Sequence, residues 1–96
     1  MRTPAPKLPL RVPEHVLVRE LGGEAVLLNL DSETYFGLDE VGLRMWTLLT
    51  SAPSLGAAVN ALDAEFDAPA EQLRRDLEAL RDELLAHGLL AADDAR

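Results

Sequence analysis

The sequence predicts an α+β domain: a three-stranded antiparallel meander at the N-terminal end, followed by three helices. Three observations carry that expectation. Up to Leu38 the apolar residues alternate or gather in short β-prone runs, and from Val41 they recur at intervals of three and four. The punctuation between runs, at Gly22-Gly23, Asp31-Ser32-Glu33, Pro53 and Pro69, falls where strands and helices of ordinary length end. The change of period lies within Asp31 to Leu49, DSETYFGLDEVGLRMWTLL, so this stretch organises the chain.

Residues 1–13, MRTPAPKLPLRVP, carry Pro4, Pro6, Pro9 and Pro13, which suit neither helix nor ladder. They read as an extended arm, either free or laid across the domain through Leu8, Leu10 and Val12. The domain proper spans 14–91, and 92–96 reads as a frayed tail. His15 to Leu21 alternates, with Val16 and Val18 on one face and Leu17 and Arg19 on the other. Gly22-Gly23 makes a two-residue turn of the type that needs positive φ, and Glu24 to Leu30 returns as the second strand. After the polar turn, Thr34 to Leu38 forms a short third strand.

Asp39 is the expected N-cap of the first helix, since its carboxylate can accept from free N–H groups of the first turn, and Glu40 sits at the positive end of the helix dipole. This helix runs to about Thr50, ahead of Pro53. Ser54 caps a second helix with Leu55, Ala58, Val59, Leu62 and Phe66 at helical spacing. Asp67 or Ala68, with Pro69, opens the third. Its stripe Leu73, Leu77, Leu80 and Leu84 spans about 60° of the helical wheel, and Gly88 ends it in a left-handed conformation. The order of elements is winged-helix-like, with the sheet at the N-terminus instead of the C-terminus. A meander leaves its outer strands with unpaired N–H and C=O groups, either a hazard or a docking edge.

Charge and composition exclude several functions. The formal net charge is −8, and residues 1–19 hold Arg2, Lys7, Arg11 and Arg19 against Glu14, so everything after residue 19 carries −11. Such a body repels a polyphosphate backbone, so nucleic acid is not an expected partner. No cysteine is present, which removes disulfides and thiolate metal sites and fits a reducing cytoplasm. No segment approaches the roughly 20 apolar residues needed to span a bilayer, nor is there a signal-peptide run, so no membrane partner is expected and a cytoplasmic location is.

Catalytic chemistry is equally thin. His15 and His87 are the only imidazoles, and neither has another ligand type beside it at metal spacing. His87 suits the negative end of its helix. Asp76, Glu78, Asp82 and Glu83, interleaved with Arg74, Arg75 and Arg81, read as a solvated helix face and not as an acid–base pair. Gly22-Gly23 lies inside a hairpin and cannot act as a phosphate loop. No enzyme, metal or cofactor is expected, and the functional residues must form a surface.

The run Asp31-Ser32-Glu33-Thr34-Tyr35-Phe36-Gly37-Leu38-Asp39, continued by Gly42 and Met45-Trp46, resembles the strand-to-helix passage of the PqqD-like family. Arg75-Asp76-Leu77, followed by Leu80, Leu84 and the Gly88-Leu89-Leu90 ending, resembles that family's last helix. The resemblance covers about residues 14 to 91. Members are the peptide-recognition elements of pathways that modify ribosomally made peptides (RiPP recognition elements), and a lone domain with this run looks most like the version found in lasso-peptide maturation.

The resemblance implies a precursor leader peptide added as a further antiparallel strand beside the third strand, its side chains entering a groove against the third helix. On this sequence the strand wall would be Thr34, Tyr35, Phe36, Gly37 and Leu38. The helix wall would be Leu73, Asp76, Leu77 and Leu80, flanked by Arg74 and Arg81. Gly37 would let another backbone come close. The leucines of the stripe and Trp46 also read as core, and of Tyr35 and Phe36 only one can face inward. Implied partners are a cysteine-protease leader peptidase and an ATP-dependent ring-closing enzyme, and free strand edges allow a homodimer. The rival readings are a winged-helix DNA-binding regulator, against which residues 69–87 carry three arginines and five carboxylates, and a carrier of a small redox cofactor.

Overall fold

Gly22 and Gly23 adopt φ values of +59° and +85° and turn the chain between the first two strands, a conformation that residues with a Cβ rarely reach. The computed structural model describes residues 7–92. In it β1 (Val16–Leu21), β2 (Glu24–Asn29) and β3 (Thr34–Leu38) form one antiparallel sheet in the order β1-β2-β3. The register aligns Val18 with Leu27 and Leu27 with Phe36 across the three strands. Alternation then places Val16, Val18, Ala25, Leu27, Asn29, Phe36 and Leu38 on one face, and Leu17, Arg19, Val26, Leu28, Tyr35 and Gly37 on the other.

Three helices follow: α1 (Glu40–Ser51), α2 (Leu55–Glu65) and α3 (Ala70–Ala86). Asp39 Oδ1 accepts from the Gly42 N–H at 2.8 Å, and Ser54 Oγ from the Ala57 N–H at 3.1 Å, so the first two caps are those the sequence marks. The third differs. Pro69 itself occupies the cap position and no side chain bonds the first turn; its extended backbone, with φ fixed by the ring, leads straight into Ala70. At the far end His87 is the C-cap and Gly88 has φ +70°. The chain then folds back, with the Leu89 N–H donating to Leu84 O at 2.9 Å.

The helices cover one face of the sheet. α1 packs on β2 and β3, while α3 packs on α2 and α1. Leu27, Leu49, Leu62, Leu77 and Leu84 are fully buried between these layers, each contributing about 1.5–3 kcal/mol by leaving water. Trp46 is buried with them. The arm lies across this core from Lys7 on: Leu8 and Leu10 are buried, and the Leu10 N–H donates to Leu49 O at 2.7 Å. Arg11 and Ala91 exchange a pair of backbone hydrogen bonds at 2.9 Å, while Val12 stays exposed. The first six residues of the arm and the tail from residue 93 lie outside the described residues. Among the described residues no helix lies on the opposite sheet face, and Leu17, Leu21, Val26 and Tyr35 are exposed there.

Candidate functional site: an unpaired strand edge facing the last helix

Among the described residues β3 pairs only with β2, so along its outer edge alternate backbone groups point away from the sheet. β1 has a free edge too, but the two edges differ in what lies beside them. β3 and α3 make no close backbone contact with one another; each rests on α1. They meet near the end of α3, where the rings of Phe36 and His87 lie 6.1 Å apart, tilted by 50°. Thr34, Tyr35, Phe36, His87 and Leu89 line a small hollow of about 130 Å³ at this end.

The strand residues divide as the pleat requires. Phe36 is half-buried on the core side and Leu38 is buried, whereas Tyr35 is 78% exposed on the outer face. Thr34 and Gly37 are exposed, and a Cβ built on Gly37 would meet nothing within 4 Å. Nothing in the chain's own packing therefore requires glycine there.

On α3 the residues of the expected wall differ in exposure. Leu73 and Leu77 are buried, Leu77 completely, and pack in the core. Leu80 is half-buried and Asp76 exposed. At about 100° per residue, Asp76, Leu80, Glu83 and His87 lie along one flank of α3, and Arg74 and Arg81 stand about 100° or more away from it. Arg74 faces Glu78 at 3.9 Å, and Arg81 is buried with its Nε donating to Asp82 Oδ1 at 2.9 Å. The two arginines thus belong to a different flank from the one that ends beside Phe36, because positions 74 and 81 share a face with each other and not with 76 or 80.

Sequence reasoning missed the residues that close the end of the site. His87 was expected only to cap its helix, yet its ring meets Phe36. Asn29, read simply as a strand residue, is buried, and its carboxamide bonds three backbone groups: Oδ1 accepts from the N–H groups of Asp31 (2.9 Å) and Ser32 (3.2 Å), and Nδ2 donates to His87 O (2.9 Å). An asparagine at a buried strand end, next to an Asp-Ser turn, was the available signal.

The family model described as "Coenzyme PQQ synthesis protein D (PqqD)" matches residues 24–90. The chain belongs to the PqqD family. Two solved structures share the fold. One is titled "TbiB1 in Complex with the TbiA(beta) Leader Peptide"; it is 32% identical, with a TM-score of 0.76, covering 90% of this chain and 98% of its own. The other, "Lasso peptide synthetase B1 complexed with the leader peptide", is 22% identical with a TM-score of 0.78, covering 86% of this chain and 98% of its own. Comparison with curated proteins gave no match. Membership accounts for the meander and three helices.

Among the described residues no group of three or more His, Asp or Glu could hold a metal ion, and no helix is long and apolar enough to cross a membrane. What the site offers is an open row of backbone donors and acceptors, a half-buried aromatic ring and a helix flank with one half-buried leucine.

Proposed function

We propose that this PqqD-family chain is a non-enzymatic adaptor that binds the leader segment of a ribosomally made precursor peptide, of the lasso-peptide kind. The leader adds as a fourth strand on the free edge of β3, with alternate side chains entering the space against α3. The observation that carries this reading is the unpaired outer edge of β3, which meets the end of α3 where Phe36 lies against His87, in a fold shared with a 32%-identical protein whose structure is titled as a leader-peptide complex. Backbone pairing supplies affinity with little regard to sequence, and pockets for every second side chain supply selectivity. Thr34, Tyr35, Phe36, Gly37 and Leu80 are the proposed contacts, with Asp76 positioned for a polar group of the peptide.

The adaptor hands the leader to separate enzymes, a cysteine-protease leader peptidase and an ATP-dependent ring-closing enzyme. Holding the leader raises the effective concentration of the attached core peptide at those enzymes without any chemistry of its own. The winged-helix DNA-binding alternative fares poorly on charge: α3 and its caps carry a net −2 within a chain of −8.

Fluorescence anisotropy with a labelled synthetic leader, taken from the short open reading frame beside the gene, tests the reading. Micromolar or tighter binding is expected, lost with a scrambled peptide and weakened by Leu80→Asp but not by Asp63→Ala. Methylating peptide amides one at a time should weaken binding at every second position, the signature of an added strand. Absence of binding by the folded protein would remove the proposal.

A further inference from the structure

We propose that Asn29 and His15 form a two-point clamp on the C-terminal end of α3 that sets the width of the gap between α3 and β3, and thereby tunes peptide affinity without touching the peptide. This rests on the leader-binding reading and adds two positioning residues to it.

β3 and α3 make no close backbone contact, and both rest on α1; at the end of α3 the Phe36–His87 ring contact meets the strand. An added strand nevertheless needs a defined space, since it lies about 4.8 Å from its neighbour and its inward side chains must fit against the helix. Packing on α1 and α2 carries the body of α3, and hydrogen bonds tie its last turn to the sheet.

Two successive carbonyls at the end of α3 supply that hold. His87 O accepts from Asn29 Nδ2 at 2.9 Å, and Gly88 O lies 3.0 Å from His15 Nε2. A carbonyl can only accept, so Nε2 carries the proton; Nδ1 of the same ring faces Asp31 Oδ2 at 3.6 Å. Together with the Arg11–Ala91 backbone pair just beyond, these hydrogen bonds join the sheet and the segment leading into it to the end of α3. Asn29 also holds the turn that leads into β3. The Asn29 Oδ1 that faces away from the helix holds the N–H groups of Asp31 and Ser32, and Asn29 O accepts from the Glu33 N–H at 2.8 Å. One buried carboxamide therefore fixes both the turn from which β3 starts and the helix end opposite it.

Gly88 belongs to the same device. A Cβ there would sit 3.2 Å from Asn29 Nδ2, and its φ of +70° already disfavours any other residue. The helix end can approach the asparagine this closely because position 88 lacks a side chain.

The test separates geometry from folding and from the leader reading. The chain has no cysteine, so Tyr35→Cys with Glu83→Cys gives a clean spin-label pair across the gap in the free protein. Asn29→Asp keeps an acceptor for the turn but replaces the donor to His87 O, and should broaden the label distance distribution. His15→Ala should broaden it too, and His15→Gln, which restores an N–H at similar reach, should return it to the wild-type width. In the unlabelled background, Asn29→Asp and His15→Ala should weaken binding of the same synthetic leader by about five-fold, the effect of one lost hydrogen bond on the competent population. His15→Gln should recover it. If Asn29→Asp does not fold, the His15 pair carries the test alone. Unchanged distances, or binding within about two-fold of wild type in folded variants, overturns the clamp while leaving the leader reading intact. Wild-type protein that binds no leader overturns both.

Discussion

The Phe36 and His87 rings lie 6.1 Å apart and tilted by 50°, and this contact bridges a strand and a helix that otherwise stand apart. Aromatic pairs of this geometry are coupled by about 0.5–1.5 kcal/mol beyond the area they bury. A double-mutant cycle with Phe36→Leu and His87→Gln, followed by urea unfolding, is expected to show coupling of about 0.5–1 kcal/mol. Coupling indistinguishable from zero would mean that the two rings are mere neighbours, and that the gap is held elsewhere.

Gly37 offers a separation of fold from function. A side chain at this position meets nothing in the chain, and Gly inside a strand is less favourable than Ala by about 0.5–1 kcal/mol. Gly37→Val should therefore leave the melting temperature unchanged or slightly raised. Leader binding should fall if a peptide backbone comes close here, as the strand-addition proposal requires. Retained binding with raised stability would place the peptide away from this end of β3.

The leucines of α3 divide into two behaviours that helical spacing alone could not separate. Leu77 is fully enclosed, so Leu77→Ala should cost about 3 kcal/mol of stability, read by denaturant unfolding. Leu80 is half-buried on the flank that leads to His87, and Leu80→Ala should cost about 1 kcal/mol while lowering leader affinity more than stability explains. Equal stability losses at both positions would show that α3 presents no distinct peptide-facing flank.

The same contrast shows what was legible in the sequence. Strand alternation, the Gly22-Gly23 turn, the Asp39 and Ser54 caps and the Gly88 stop are local properties, each fixed by a few neighbouring residues, and each is found where its residues stand. The start of α3 was less legible because proline takes the cap position without bonding the first turn. The surroundings of Arg74 and Arg81 were not legible either: periodicity identifies the apolar stripe, but the burial of Arg81 beside it depends on how the helices pack. Asn29 and His15 were least legible, since their partners at positions 87 and 88 lie 58 and 73 residues away in the chain. A single sequence gives no local sign of such a pairing.

A pH dependence follows from the paired surface carboxylate of Glu65. Arg44 on α1 grips Glu65, the last residue of α2, with Nε at 2.8 and 2.9 Å from its two oxygens and Nη2 at 2.6 Å from Oε2. These hydrogen bonds, and to a lesser degree the guanidinium's charge, hold the Glu65 carboxyl below the usual carboxylate range. Because the folded-state value is lowered, the folded protein favours the ionised form, and the pair contributes stability at any pH above the ordinary Glu value of about 4.3. That contribution is lost as pH falls through the folded-state value, where Glu65 takes up a proton even in the native protein. Glu65→Gln should therefore melt below wild type near neutral pH, with the difference closing as the pH drops below about 4. The pair is solvent-exposed, so added salt should shrink the neutral-pH difference as well. A difference that persists unchanged in strong acid would show that the glutamine substitution acts on the packing of α1 against α2 and not through the charge of Glu65.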